Sequence, residues 1–518
     1  MANNLRPKID TTTSSTAAKQ ADALSKIPQE WRLPADILQK VSVTSDISVM
    51  DVPSTCGILD STEIEITENY TATVLANKIA TGVFSSLQVA QVFCKRAAIA
   101  QQLTNCLTET MFPEAIERAK FLDKYLIDNG KPLGPLHGLP ISVKDGFNIK
   151  GVPSTLGYIL FQSYPVPEEN SPVIDILLSL GAIIHVKTNV PQTMMAAETH
   201  NNLFGRTLNP RRLSHTAGGS SGGEGVCVAM RGSIIGLGTD IAGSIRIPSL
   251  CNGTYGFKPS ANRIPYGGQS SSGRKGGPGV KASAGPLANS AEDLHLLFKS
   301  IICADPWQHD SAAIAMPYKN IARKTSLRLG FIAEDPAHPV APPIARALET
   351  AFQRLAAAGH EVVKMSEFPS PAEAANLCWS FYLTDPQNTT SKIIEQGGEP
   401  KVPAISLTWE NPKLPNVDMD EYYNINTKRR ELKAEWHKMF VEQKFDAVML
   451  PAYMDTAPAH DKYGTVCYTA FANLLDYPAA VIPFEVANQE KDLPNPTVPN
   501  FPGNVRLCST GSDTTKNG

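Results

Sequence analysis

Long apolar runs are missing from this chain of 518 residues. No segment approaches the roughly 20 consecutive apolar residues of a membrane-spanning helix, and the best candidate, residues 173–186, is interrupted by Asp175 and His185. Charge of one sign is lacking too: 47 basic residues face 50 acidic ones, for a formal net charge of −3. Nothing in that balance suggests a phosphate-tracking surface, so nucleic acid is not an expected partner. The nine cysteines are scattered, with no C-x-x-C pair and no closely spaced Cys/His set, which excludes a structural zinc pattern and fits reduced thiols. Gly236-Leu237-Gly238 is too short for a dinucleotide fingerprint. The first 34 residues contain no apolar stretch of the kind a secretory signal needs. The expectation is a cytoplasmic protein that uses neither metal nor cofactor.

What is present is ordinary globular material, 42% apolar and 19% charged. Residues 1–27, rich in Ser, Thr, Ala and Lys without apolar periodicity, read as a flexible arm. From about Ile64 to Ile127 the pattern turns helical, with starts signalled at Thr67, at Ser85-Ser86 and at Pro113. Residues 139–143 form a short apolar run ending at Lys144, and residues 182–186 form another after a helix opened by Ser171-Pro172 and stopped by Gly181. Strand and helix signals alternate again through 327–333, 344–359, 360–365, 445–453, 469–475 and 477–484, and Ser290 with Asp293 resembles a capping box. This alternation predicts a single large α/β/α domain over residues 28–485, with a mixed, mostly parallel central sheet covered by helices on both faces.

Between 205 and 287 the composition shifts sharply towards Gly and Ser, in AGGSSGGEG (217–225), GLGTDIAGSIRIP (236–248) and GGQSSSGRKGGPG (267–279). Such density marks close approach of backbone to backbone or to a ligand. A serine nucleophile needs a base within hydrogen-bond reach and donors for the oxyanion, and Lys144, Ser220 and Ser244 could supply them. Two assignments stay open from the residues alone. Gly218-Gly219-Ser220-Ser221-Gly222 satisfies a G-x-S-x-G elbow, which would make Ser220 the nucleophile. Alternatively Ser244 attacks, in a small-residue turn whose N–H groups converge on one point.

Three separated blocks then agree in content, order and spacing: GPLHGLPISVKD (134–145), GGSSGGEG (218–225) and GTDIAGSIRIP (238–248), with Ser220 and Ser244 24 residues apart. Together they resemble the amidase signature family, and CKRAAIAQQLTNC (94–106), NVPQTMM (189–195), NNLFGRTLNP (201–210) and NLLDYPAAVIPF (473–484) are similar to its fungal acetamidase branch. The resemblance implies a cofactor-free Ser–cis-Ser–Lys triad, with Ser244 as nucleophile, Ser220 as bridge and Lys144 as base. It implies an oxyanion hole from the backbone N–H groups of Ile241, Ala242, Gly243 and Ser244, and Met194 on the acyl side. Lys144 must then be buried, so that its pKa falls and the neutral amine can accept a proton. Asp240 and Arg246 are expected to pin the nucleophile loop, Ser221 to join the same network, and His137 and His215 to be structural or surface residues.

The implied reaction is hydrolysis of a small or medium amide to carboxylate and ammonia. An ester or aryl-amide hydrolase with the same triad and an inactive, binding-only member are the alternatives. The partner expected is a small-molecule amide, and a homodimer stays open. Two departures stand out. Ala242 occupies a position where many members carry glycine. After Phe484 the chain continues as a Pro-rich, then Ser/Thr/Gly-rich stretch (486–518) that reads as a disordered tail, where the family usually adds a further strand and a final helix.

Overall fold

A computed structural model describes residues 13–277, 279–409 and 417–492. Ten strands matter for the site: β1 (Leu107–Thr110), β2 (Pro140–Lys144), β3 (Ile183–Thr188), β4 (Ile235–Asp240), β5 (Tyr255–Lys258), β6 (Ser283–Ala288), β7 (Arg328–Phe331), β8 (Glu361–Lys364), β9 (Ala447–Met449) and β10 (Ala479–Val481). Seven of them make one sheet in the order β1-β3-β2-β4-β6-β5-β10. At its centre β2 pairs parallel with both β3 and β4. The flanking pairings, β1 on β3, β6 on β4 and on β5, and β10 on β5, are antiparallel. The mixed sheet expected is therefore present, but its predominance of parallel strands is narrow: β2, β3, β4 and β5 run one way, and β1, β6 and β10 the other.

The central strands are buried along their whole length, and β2 reads Pro-Ile-Ser-Val-Lys with every residue inside. Proline is tolerated at the first position, because ladder pairing with β4 begins only at Ile141. One covering helix, Ser86–Thr104, is N-capped by Ser85, whose hydroxyl accepts from Gln88 N at 3.0 Å. It buries Val89, Val92, Phe93, Ile99 and Leu103, each worth about 1.5–3 kcal/mol on transfer from water. Pro113, Ser171-Pro172 and Ser290 open helices as anticipated. Thr67 does not: it lies in the last turn of helix Ser61–Glu68, whose start is an Asp60/Glu63 capping box, and the next helix begins after Thr71.

Strands β7, β8 and β9 do not join the central sheet. They form their own parallel sheet in the order β8-β7-β9, with helix Pro342–Ala357 as the crossover between β7 and β8. Local periodicity specifies a strand but not which sheet receives it. Helices Pro371–Tyr382, Thr389–Gly397 and Met419–Gln443 lie between β8 and β9.

Both ends differ from the expected arm and tail. Residues Thr13–Ser25 are helical, and Lys19 binds Glu109 of β1 at 2.5 Å while Lys26 approaches the same carboxylate at 3.3 Å. The segment TAAKQADALS has good helix formers and is held by charge rather than by an apolar stripe, so a search for amphipathic periodicity passes over it. At the other end Arg346 holds residues 485–492 through Glu485, the carbonyl of Val486 and Asp492. The rest of the expected arm (1–12) and tail (493–518) lies outside the described residues. Among the described residues β10 is paired on one side only, and no helix is long and apolar enough to cross a membrane.

Candidate active site

Parallel pairing brings the carboxyl ends of β2 and β4 to the same end of the sheet, where open α/β sheets place their ligands. Lys144 ends β2, and Thr239-Asp240 end β4. The Lys144 side chain is 0% exposed, and its Nζ lies 2.7 Å from Ser220 Oγ and 2.8 Å from Thr239 Oγ1. Burial lowers its pKa from 10.5 to about 7, against the opposing charges of Asp240, Glu224 and Asp145. Near neutral pH a large fraction is therefore free amine, able to donate to Thr239 and to accept from Ser220.

Ser220 follows a cis peptide bond from Gly219. Gly219 is required here by close approach, since a Cβ would lie 2.4 Å from the Ala196 carbonyl oxygen. Ser221 opens helix Gly222–Ala229 and stitches the two serine loops together: its N–H donates to Ser244 O at 3.1 Å, and its hydroxyl donates to Thr239 O at 3.2 Å. Ser244 is 8% exposed, and its hydroxyl has no hydrogen-bond partner among the described residues. The two loops are thus adjacent, while the Ser220–Ser244 hydroxyl contact is not made in this structure.

The turn between them is organised by Asp240. One carboxylate oxygen accepts from Gly243 N at 2.8 Å and the other from Ile245 N at 3.1 Å. Arg246 donates to both, at 3.0 Å each, and reaches Asn473 Oδ1 at 2.7 Å. Burial pushes the Asp240 carboxyl up, but the charge and hydrogen bonds of Arg246, with Lys258 and Asn473, override it and hold the group well below the usual carboxylate range. Asp240 and Arg246 thus tie the loop together through these bonds. Gly243 has φ +128°, and a Cβ there would strike Thr469 Oγ1 at 2.4 Å. Its N–H is already committed to Asp240. Among the described residues the N–H groups of Ile241, Ala242 and Ser244 meet no acceptor, whereas that of Gly243 does.

Met194 sits on the Gln192–Met194 turn, where Thr193 (φ +75°) and Met194 (φ +58°) are both left-handed without a glycine. It packs on an apolar cluster that includes Leu156, Tyr158, Phe161, Ala196 and Ile394. That turn is clamped from below. Glu399 accepts from Ile159 N, Gln192 Nε2 and Asn202 Nδ2 at 2.9–3.0 Å, and Gln192 Oε1 accepts from Val402 N at 3.0 Å.

Residues 88–500 match the Amidase family. The chain belongs to that family. A protein described as Amidase from Gibberella moniliformis is 43% identical over 477 residues, covering 92% of this chain and 90% of that one. The Acetamidase of Emericella nidulans is 37% identical over 493 residues, covering 92% and 88%. Among solved structures, a fatty acid amide hydrolase superposes with a TM-score of 0.85 at 33% identity, covering 90% of this chain and 82% of that one. The protein is accordingly a hydrolase that acts on amide bonds.

The amidase fold brings Lys144, Ser220, Ser221, Asp240, Ser244 and Arg246 together at one end of the central sheet. His137 is buried and accepts from Leu133 N at 2.9 Å, and His215 is half-buried beside Ser214, so both are structural. Several amidase-site residues have no local signal in the sequence. Glu224 lies buried beneath the site, accepting from Ser142 Oγ at 2.6 Å and Thr188 Oγ1 at 2.8 Å, and burial pushes its carboxyl up to about 8. Thr239 is the second partner of Lys144. Tyr382 and Thr469 reach the loop carbonyls of Ile241 and Ala242 from distant helices. Glu224 and Thr239 fall inside the Gly-rich blocks, Glu224 in the first turn of helix Gly222–Ala229 and Thr239 near the end of β4, and could have been found by asking which polar residues accompany the two serines there. The other two could not.

Proposed function

We propose that this amidase hydrolyses the amide of a small or medium carboxylic acid through a Ser244 acyl-enzyme, with Ser220 passing the Ser244 proton to Lys144. The observation that carries this reading is the 2.7 Å contact between Ser220 Oγ and a fully buried Lys144 with its pKa lowered to about 7. Lys144 as free amine takes the Ser220 proton while Ser220 takes that of Ser244, and Ser244 Oγ bonds to the amide carbon. Charge on the former carbonyl oxygen is met by the free N–H groups of Ile241, Ala242 and Ser244. The proton returns along the same path to the leaving nitrogen, ammonia departs, and water hydrolyses the ester to a carboxylate. Met194 and its apolar neighbours form the acyl side. Acetamide-like substrates come first because of the likeness to the Emericella nidulans Acetamidase. The cytoplasmic location expected from the scattered cysteines remains part of this reading.

Intact-mass measurement after treatment with a fluorophosphonate tests it. The wild type should gain a single adduct, Ser244→Ala none, and Lys144→Ala should label far more slowly. An adduct that survives in Ser244→Ala but vanishes in Ser220→Ala would transfer the nucleophile to Ser220. A soluble, folded wild type that takes no adduct would overturn the enzyme reading of these residues. Turnover of a homologous series of aliphatic amides, beside the matching esters and anilides, then separates the amide reading from the ester and aryl-amide one.

A further inference from the structure

The free N–H groups of the nucleophile loop owe their direction to what grips the loop from behind. A peptide unit is planar and trans, so its C=O and the next residue's N–H point in opposite directions. Whatever holds the Ile241 carbonyl outward therefore aims the Ala242 N–H inward. That carbonyl accepts a hydrogen bond from the hydroxyl of Tyr382, the last residue of helix Pro371–Tyr382. The Tyr382 oxygen in turn accepts from Cys378 Sγ at 3.0 Å, one turn earlier on the same helix, which leaves the phenolic proton for Ile241. Burial raises the phenol well above its ordinary value, so it remains a donor through the neutral and alkaline range.

Neighbouring peptide units are gripped in the same way. Thr469 Oγ1 donates to the Ala242 carbonyl at 2.6 Å, and Asp240 takes the Gly243 and Ile245 N–H groups. Asp240 lies next to the loop in sequence, whereas Tyr382 belongs to a helix that packs on helices Cys467–Leu474 and Met419–Gln443, outside the central sheet. We propose that Tyr382 is a positioning residue of the oxyanion hole, fixing the Ala242 N–H through the Ile241 carbonyl without touching substrate. The inference rests on the amidase reading above and adds to it a role for the helical segment between β8 and β9.

The test is Tyr382→Phe in the full chain, which removes one oxygen atom. Losing an oxyanion donor outright typically costs about 10²–10³ in kcat, so a donor left in place but no longer aimed should cost about 10-fold. The expected result is that fall in kcat with KM within about two-fold of the wild type. The affinity of a trifluoromethyl ketone, which forms a tetrahedral adduct on the nucleophile, should weaken by the same factor. The affinity of the matching secondary alcohol, which cannot form the adduct, should stay unchanged, and the Tm should shift by only a few degrees. A merely structural tyrosine would move the Tm and both affinities together, and that result overturns the proposal, as does an unchanged kcat and ketone affinity. A wild type that neither hydrolyses amides nor takes the fluorophosphonate overturns the amidase reading and this inference with it. A working wild type beside an unaltered Tyr382→Phe overturns this inference alone.

Discussion

Lys144 Nζ and Ser220 Oγ lie 2.7 Å apart where two Gly-rich loops close over the end of β2, and the lysine side chain has no contact with bulk water. Because burial lowers the lysine from 10.5 to about 7, kcat/KM should rise tenfold per pH unit below about 7 and level off above it. A pH–rate profile of the free enzyme checks this, and an acid limb centred well above 9 would contradict a buried neutral amine.

The same shift makes a stability prediction of definite sign. The unfolded chain holds the Lys144 proton up to about pH 10.5 and the folded one only to about 7, so between these values unfolding takes up a proton and stability rises with pH. Below about pH 7 the cost is fully present. Lys144→Met, of similar length and without charge, should therefore be inactive yet more stable than wild type at pH 6, with the gap narrowing towards pH 10. Urea midpoints across that range measure it.

Arg246 and Asp240 form a buried ion pair with both carboxylate oxygens engaged. Removing one partner leaves an uncompensated buried charge, so Arg246→Met should cost about 3–5 kcal/mol in urea unfolding. Adding Asp240→Asn should recover part of the loss, because the neutral amide no longer demands a cation.

A Cβ on Gly236 would lie 2.0 Å from Glu224 Oε2, so the glycine makes room for the buried carboxyl that Ser142 and Thr188 hold. Gly236→Ala should destabilise by about 1–3 kcal/mol, as overpacking does. In a Glu224→Ala background the same change should cost much less, and the coupling in this double-mutant cycle is the readout.

Glu399 should act on binding rather than on chemistry. It fastens the turn that carries Met194 through Gln192, so Glu399→Ala should raise KM several-fold while leaving the rate of fluorophosphonate labelling within about two-fold. Steady-state kinetics beside labelling rates separates the two effects.

The parts of this molecule legible in the sequence are those whose signals are local. Lys144 stands at the end of an apolar run, Asp240 and Arg246 flank Ser244 within a few residues, and caps such as Ser85 and Ser290 announce their helices. The triad assignment rests on resemblance, because a serine-rich glycine loop alone leaves Ser220 and Ser244 as rival nucleophiles. Tyr382, Thr469 and Asn473 reach the loop from more than 140 positions away in the sequence, and nothing in their own neighbourhoods announces that encounter. Thr193 and Met194 adopt left-handed backbone where local rules expect glycine, so tertiary packing overrides propensity in this turn. The strand signals of β7, β8 and β9 are readable, and their membership of a separate sheet is not.

The helix at Thr13–Ser25 has one more consequence. β1 is an edge of the seven-stranded sheet, and an open edge is a template for pairing with another chain. The helix lies against that edge, with Lys19 and Lys26 closing on Glu109. The opposite edge, β10, is only three residues long. One border of the sheet is thus guarded by a salt-dependent latch and the other by brevity, so trimming the first 26 residues should leave a protein prone to self-association in high salt and low salt alike, whereas salt alone would loosen the intact latch reversibly.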